Sequence, residues 1–389
     1  MGGATSQRWF AVGHSSRGDA TQAGSEAAAE ARSRDDAKLA VVFASCDYSL
    51  DSLLRGIREE LGDVPLIGCS TAGEIATAGP GDASVVVAAM GGEGLNVATG
   101  RGRETSVRLR KAGEDAAGCI AGVEGEHRAL LMLTDGLSGD QQEIVRGAYS
   151  VVGAGVPLVG GCAGDGLQMR KTFQLYDDEV LSDTVVAAAI GSDAPLGIGV
   201  RHGWRRVGEP MLVTKSEDNR VYEIDGRPAL DVYFERLEVP QKARHDAAEF
   251  TAFSSTHPLG LASRGEEQHV RFISGADFDE RALVCIAEVP PGGLIWTMEG
   301  DAASVLEATD DACDDALASL EGNLPVGLLA FDCIARRGVL GDGIKEEIER
   351  IAQKGGEAPV AGFYTYGEIA RTRGISGFHN QTLVVLAVA

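Results

Sequence analysis

The sequence predicts an α/β protein made of two related domains, both built from one repeated unit, and three observations carry that prediction. First, one phrase occurs three times: VPLIGCSTAGEI at 64–75, VPLVGGCAGDGL at 156–167 and APVAGFYTYGEI at 358–369. In each copy a proline (Pro65, Pro157, Pro359) is followed three residues later by a glycine (Gly68, Gly160, Gly362), and the first and third copies close on Gly-Glu-Ile. Second, each phrase is preceded by a short apolar run and then a charged stretch with apolar residues three and four apart. Third, each is followed by another apolar run. Runs of four to eight Val, Ile and Leu residues read as buried strands, and the charged stretches read as amphipathic helices. The unit is therefore strand, helix, strand, Gly-rich loop, strand. Its copies are separated by unlike sequence and are longer than solenoid repeats, which run about 20–50 residues.

The elements follow in order. WFAVGHSS is a strand, and DATQAGSEAAAEARSR is an Ala-rich helix that Asp19 can cap. LAVVFAS from Leu39, the helix SLDSLLRGIREELG, the first phrase and ASVVVAAMG from Ala83 make the first copy. ALLMLTDG from Ala129, GDQQEIVRGAYSVVG, the second phrase and TVVAAAIGS from Thr184 make the second. Then GEPMLVTKSEDNRVYEIDGRPALDVY changes character, reading as a polar hairpin followed by a helix that Pro228 begins. A boundary near residue 200 gives domains 1–203 and 204–389. The second domain holds strand-like HVRFISG, ALVCIAEV and GLIWTMEG and the helix DAASVLEATDDACDDALASLEG. It ends with the third copy: VGLLAFDC from Val326, GDGIKEEIERIAQKGG, the third phrase and QTLVVLAVA from Gln381.

Composition bounds the function. The 389 residues are 44% hydrophobic and 24% charged, with 35 Lys and Arg against 58 Asp and Glu, a formal charge of −23. That is a globular chain of two or three domains. A surface of this sign repels phosphate backbones and anionic lipids, and no basic cluster offsets it, so nucleic acid is not an expected partner. The N-terminal sequence has no signal-peptide apolar region, and no apolar run approaches the ~18 residues of a membrane span, so a soluble, cytoplasmic protein is expected. Gly2 and Ser6 fit a loose myristoylation pattern that a Gly- and Ala-rich start matches by chance. The seven cysteines (46, 69, 119, 162, 285, 313 and 333) have no CxxC or Cys/His spacing and read as small hydrophobes in a reducing compartment, with no metal site.

The repeated glycines admit two readings. A Gly-rich strand end lets the chain turn and lets another group approach closely, and ligands of α/β sheets lie at the carboxyl ends of strands. The three loops are thus where a pocket is expected. Equally, Gly68, Gly160 and Gly362 can serve only close packing, and Glu74 and Glu368 can cap helices or pair with an arginine.

GCSTAGEI, GGCAGDG, YEIDGRPALDVY, FDCIARR, GFYTYGEIA and FHNQTLVV, in this order from about Leu39 to Val388, resemble the FIST family, which pairs a FIST N-terminal with a FIST C-terminal domain. The resemblance implies a sensory module of signal transduction that binds a small ligand, with an amino acid or related metabolite as the expected class. The chain has no appended kinase, cyclase, methyl-accepting or F-box segment, so its output is expected to pass through a separate signalling protein such as a kinase or cyclase. Assembly into a homo-oligomer is left open.

A bound zwitterion needs an arginine or backbone N–H groups at its carboxylate and an acid at its ammonium. The third copy supplies those types: Asp332 and Arg336, then Tyr364, Tyr366 and Glu368, Arg371, and Asn380. Tyr364 and Tyr366 share parity on an extended strand. The corresponding secondary candidates are Cys69, Ser70, Thr71 and Glu74 in the first copy and Asp165 in the second. A hydrolase or transferase using Cys69 or Ser70 is one alternative, although GCSTAG is not G-x-S-x-G, having Ala72 where the last glycine belongs, and no histidine is spaced to activate a thiol. No catalytic residue is assigned. No Gly stretch fits a P-loop or G-x-G-x-x-G. Haem is the other alternative, since some FIST-containing proteins resemble nitric-oxide sensors with histidine-held iron. His14, His257 and His379 lie in family-like stretches, but no motif selects among them, and no cofactor is predicted.

Overall fold

The computed structural model describes residues 8–262, 269–372 and 377–389; Gly2 and Ser6 lie outside them. In chain order the first unit contains β1 (Trp9–Ser15), α1 (Ala20–Ala31), β2 (Ala37–Ala44), α2 (Leu50–Leu61), β3 (Leu66–Ser70), the short strands β4 (Glu74–Ala76) and β5 (Gly79–Gly81), and β6 (Val85–Gly91). The second contains β7 (Leu95–Arg103), α3 (Thr105–Ala117), β8 (His127–Thr134), α4 (Gln141–Val152), β9 (Leu158–Cys162), β10 (Gln174–Tyr176), β11 (Glu179–Leu181) and β12 (Thr184–Ser192). The third opens with β13 (Leu196–Arg201) and is then interrupted by β14 (Arg205–Glu217), β15 (Arg220–Ile224), β16 (Arg227–Pro228), α5 (Ala229–Arg236), α6 (Ala247–Ser254), β17 (Leu259–Leu261), β18 (His269–Arg271), β19 (Ile273–Asp277), β20 (Ala282–Cys285) and β21 (Leu294–Glu299). It resumes with α7 (Ala302–Ala318), β22 (Gly327–Cys333), α8 (Ile334–Leu340), α9 (Ile344–Gly355), β23 (Val360–Thr365), β24 (Glu368–Arg371), β25 (Phe378–His379) and β26 (Leu383–Val388).

The three units have one strand order. Sheet I runs β1-β6-β2-β3, sheet II β7-β12-β8-β9 and sheet III β13-β26-β22-β23. Each is completed by a hairpin from another unit: β10-β11 on β3, β24-β25 on β9, and β4-β5 on β23. The hairpins therefore close a ring, first unit to third, third to second, second to first. The parallel pairs are in matching register, with Val42 opposite Gly68, Met132 opposite Gly160 and Ala330 opposite Gly362. The carbonyls of Pro65, Pro157 and Pro359 each accept from the incoming strand, at 2.9 Å from the amides of Ala40, Leu130 and Leu328.

The packing follows from which residues are smooth and which are bulky. One face of each sheet turns into a shared core, where Phe43 stacks on Phe363 and both meet Phe331 edge-on, beside Leu131, Leu133 and Val186. The other faces are covered by α1 and α2, α3 and α4, and α7 and α9, respectively. At Gly68, Gly160 and Gly362 a Cβ would overlap the carbonyl oxygen of the neighbouring parallel strand, so the repeated glycine is a close-approach residue. Asp19 caps α1, accepting from the Gln22 amide at 2.9 Å.

The insertion in the third unit is a fourth, antiparallel sheet of order β18-β17-β21-β14-β15-β20-β19, with its own core around Tyr233, Phe250 and Ile295. The hairpin read from GEPMLVTKSEDNRVYEI is β14-β15, and Pro228 stands just before α5 as its N-terminal flank. No helix of the described residues is long and apolar enough to cross a membrane.

Candidate functional site

The carboxyl ends of the parallel strands gather the three Gly-rich loops at one end of the ring. Beneath the fourth sheet this end holds a cavity of about 650 Å³. Its walls come from four parts of the fold. The β8–α4 loop gives Gly136, Leu137, Gly139 and Asp140; the loop after β9 gives Leu167 and Met169; the fourth sheet gives Asp218, Asn219, Phe272, Ile286 and Glu288; and the third unit gives Ile334, Tyr366, Phe378 and Asn380.

Asn380 is 1% exposed, yet neither its Oδ1 nor its Nδ2 has a hydrogen-bond partner among the described residues. A buried amide in that state costs free energy, so a polar group arriving in the cavity has an acceptor and a donor waiting for it. The loop carrying it is held on both sides: the Gln381 side-chain Nε2 donates to the Ser255 carbonyl at 2.6 Å, the Trp204 indole N–H donates to the Gln381 backbone carbonyl, and the Thr382 hydroxyl donates to the Asn380 backbone carbonyl.

Opposite it, the loop following β9 is wound around Asp165. This carboxylate accepts from the amides of Met169, Arg170 and Lys171 at 2.9, 2.6 and 3.0 Å and from the Tyr366 hydroxyl at 2.5 Å. Burial alone would raise its pKa, but these donors together hold it below the usual carboxylate range. The Tyr366 oxygen in turn accepts from the Leu167 amide at 2.8 Å, and burial together with Asp165 pushes its pKa up. Leu167 and Met169 adopt positive φ of 64° and 53°, and their side chains remain 62% and 59% exposed at the cavity rim. Backbone strain and exposed apolar side chains in one clamped loop are costs that persist where the surroundings enforce them, often at ligand sites.

The other expected residues lie elsewhere. Arg336 is wholly buried and donates to Asp332 at 2.7 Å, to Thr309 at 2.9 Å and to Glu347, with one N–H on the His202 carbonyl, so Asp332 and Arg336 face one another within a sealed ionic cluster between β22, α7 and α9. Burial, and then the neighbouring Glu347, push the Asp332 pKa well up. Arg371 stacks over the Tyr149 ring on another surface, in a separate polar crevice of about 690 Å³. Tyr364 is buried under the Arg337 guanidinium, 4.8 Å from its ring centre. The equal parity of Tyr364 and Tyr366 is not carried into the cavity, because β23 ends at Thr365 and only Tyr366 reaches it.

Glu74 and Glu368 form matching anchors. Each accepts from the hydroxyl three residues before it, Thr71 or Thr365, and from the amide just ahead of β6 or β26, Ser84 or Thr382, both at 3.1 Å. Burial raises their pKa to about 7 and about 8. Cys69 packs in the shared core with its thiol pKa pushed well up by burial, while the Ser70 hydroxyl donates to the Gly164 carbonyl and accepts from the Phe173 amide. Neither lines the cavity. Nor do the histidines considered for haem: His379 is buried against His269 and faces the Ala370 carbonyl, His257 stacks on Phe253, and His14 is on β1. The cavity therefore supplies no axial imidazole among the described residues. No group of three or more His, Cys, Asp or Glu among the described residues is placed to hold a metal ion.

A FIST N domain model matches residues 38–227 and a FIST C domain model matches residues 229–371. An uncharacterized protein of Mycobacterium tuberculosis is 26% identical over 384 residues, which cover 95% of this chain and 97% of that one. An uncharacterized protein of Methanocaldococcus jannaschii is 28% identical over 154 residues, covering 38% of this chain and only 30% of that protein. Among solved structures, a cyanuric acid hydrolase from A. caulinodans aligns over 48% of this chain and 71% of its own, at 11% identity and a TM-score of 0.29. That likeness is too slight to bear on fold or activity.

Proposed function

The chain belongs to the FIST family, whose domains are associated with sensory signal transduction, and from that premise we propose that it is a sensor whose small ligand occupies the cavity beneath the fourth sheet. The observation that carries this reading is Asn380, fully buried with both amide atoms unpartnered and lining that cavity. Tyr366 contributes by fixing the Asp165 loop. The volume suits a metabolite, and the ligand class is an amino acid or a related metabolite. The apolar wall of Leu137, Leu167, Met169, Phe272 and Ile286 takes its body, and Asn380 orients its polar end.

Coupling to a separate signalling protein follows from the same geometry. A ligand that covers Leu167 and Met169 changes an exposed apolar rim, and only a difference in affinity between two states of that rim can drive an output. A thermal-shift screen of amino acids and related metabolites tests the reading. A specific ligand at 100 times its dissociation constant adds about 2.7 kcal/mol. Asn380→Leu should abolish that gain while leaving the unliganded protein as stable as wild type, because it removes an unpaired buried amide. A ligand that stabilises wild type and Asn380→Leu equally would place its site elsewhere.

A further inference from the structure

We propose that the ligand of this cavity is an organic cation, an ammonium or guanidinium on an apolar body, that carries no carboxylate. The proposal rests on the cavity being the ligand site and narrows the ligand's class, an amino acid or a related metabolite, to the related metabolites that lack the carboxylate. It starts from the matched architecture of sheets II and III. At the end of sheet III lies a second crevice, of about 660 Å³, lined by Ala72, Asp82, Ile334, Arg337 and Gly338. Residue for residue these correspond to Tyr366, Asn380, Gly136, Gly139 and Asp140, which line the cavity of sheet II.

The correspondence is one of position counted along the chain. The paired registers Ala330–Gly362 and Met132–Gly160 align Asp332 with Thr134, and five residues on from each stand Arg337, on α8, and Gly139, in the β8–α4 loop. On the other side, the Ser84 and Thr382 amides meet Glu74 and Glu368 in the same way, and the residues before them, Ala83 and Gln381, have φ of 49° and 52°. That aligns Asp82 with Asn380.

In the crevice of sheet III the protein supplies its own cation. Arg337 makes a bidentate pair with Asp82 at 2.7 and 2.8 Å and lies over the Tyr364 ring. In sheet II the residue at Arg337's distance from its strand is Gly139, with no side chain, and the residue matching Asp82 is Asn380, whose amide has no partner among the described residues. The crevice of sheet III thus carries a cation of the protein's own, and the lining of the sheet II cavity carries none among the described residues.

The charge of the walls points the same way. Asp140, Asp218 and Glu288 line the cavity, and among the described residues no Lys, Arg or His does. Arg146 and Arg271 interact electrostatically with Asp140 and Glu288, but neither lines the cavity; Arg271 turns its Nε–H to the Glu288 carbonyl. A carboxylate entering here meets like charges with no guanidinium to receive it, whereas an ammonium or guanidinium donates to Asn380 Oδ1 and is drawn by the acids.

Matched pairs that differ only in the carboxylate test this: phenethylamine against phenylalanine, and agmatine against arginine, by thermal shift and calorimetry on the full chain. At least one amine should bind at least tenfold tighter than its amino acid. The double variant Asp218→Asn with Glu288→Gln, whose side chains lie at the protein surface, should keep its unliganded melting temperature and lose most of that preference. Amino acids that bind as well as or better than their amines overturn the proposal while leaving the cavity as the ligand site. If neither amine binds, the proposal is overturned as well. If, in addition, Asn380→Leu leaves every ligand found in the metabolite screen unaffected, the cavity reading falls with it.

Discussion

Replacing Glu368 by glutamine should remove a large pH dependence from the stability. The side chain is fully buried, between β24 and the start of β26, and burial raises its pKa to about 8 despite donors from Thr365, Thr382 and Cys333. In the unfolded chain the pKa is near the ordinary 4.5. The folded state thus holds a proton that the unfolded state releases between these values. Stability from this group is complete below pH ~4.5 and is lost as pH rises through ~8. At about 1.36 kcal/mol per pKa unit, the rise amounts to roughly 4–5 kcal/mol across that window. Glutamine keeps the shape, with its carbonyl facing the Thr382 amide and its NH₂ facing the Thr365 hydroxyl, and cannot ionise. Urea unfolding of wild type and Glu368→Gln at several pH values from 5 to 9 reads the effect as a difference, which cancels the opposing contribution of His202 and His269, whose pKa values burial lowers to about 4. Wild type should lose several kcal/mol relative to the variant as pH rises. Parallel stability curves for the two proteins would refute the claim that this carboxyl is folded into the protein with its proton.

The remaining predictions concern packing and the ion cluster. Gly362→Ala should cost at least about 1–3 kcal/mol in urea unfolding, since its Cβ would strike the Ala330 carbonyl oxygen, whereas Gly155→Ala, with open space around it, should be near neutral. Arg336→Met leaves Asp332 and Glu347 buried without their shared cation, and a loss of about 3–5 kcal/mol in the same assay is expected. Tyr366→Phe removes one donor from Asp165 and the acceptor of the Leu167 amide, so it should cost about 1–3 kcal/mol and speed proteolysis within residues 165–171 while sheets I and III stay protected from hydrogen exchange.

The long elements were legible because their periodicity is local. Val41, Leu131 and Leu329 lie in the buried first parallel strands, and Pro65, Pro157 and Pro359 stand just before the second ones. The three-residue strands β4, β10 and β11 were not legible, since so short a run has no period to read, and their partners lie in another unit. The same limit governs the site. Tyr366 was reachable because it lies within the repeated phrase, and Asn380 because it lies in the family-like stretch FHNQTLVV. The partner of Tyr366 is Asp165, 201 residues away, and much of the cavity wall comes from the inserted sheet. Arg336 and Arg371 are residue types that recognise carboxylates; Asp332, four residues before Arg336, is a partner that spacing could suggest, but Glu347 on α9 and, for Arg371, Tyr149 on α4 are set by tertiary packing.

The third unit departs from the other two through a change in how its helices meet. Aligned on the glycines that end α2, α4 and α9, namely Gly62, Gly153 and Gly356, all with positive φ, the positions of Gly56 and Gly147 become Arg350, and those of Leu53 and Ile144 become Glu347. In the first two units that glycine lets one helix rest against a carbonyl of its neighbour, Thr21 or Arg110. An arginine cannot, and the third pair is joined by side chains instead: Arg350 to Asp310, Lys354 to Asp314, and Glu347 to Thr309. Polar side chains hold helices farther apart than glycine does, and α8 and Arg336 fill the added space. The consequence reaches the site, because α8 begins at Ile334, directly after β22, and carries Arg337 over Tyr364 into the lining of the sheet III crevice. The β8–α4 loop of the second unit has no such helix; it presents Gly139 and leaves its crevice to be roofed by the fourth sheet. The two crevices are thus lined differently: that of sheet III carries an internal ion pair, and that of sheet II a buried amide without a partner among the described residues.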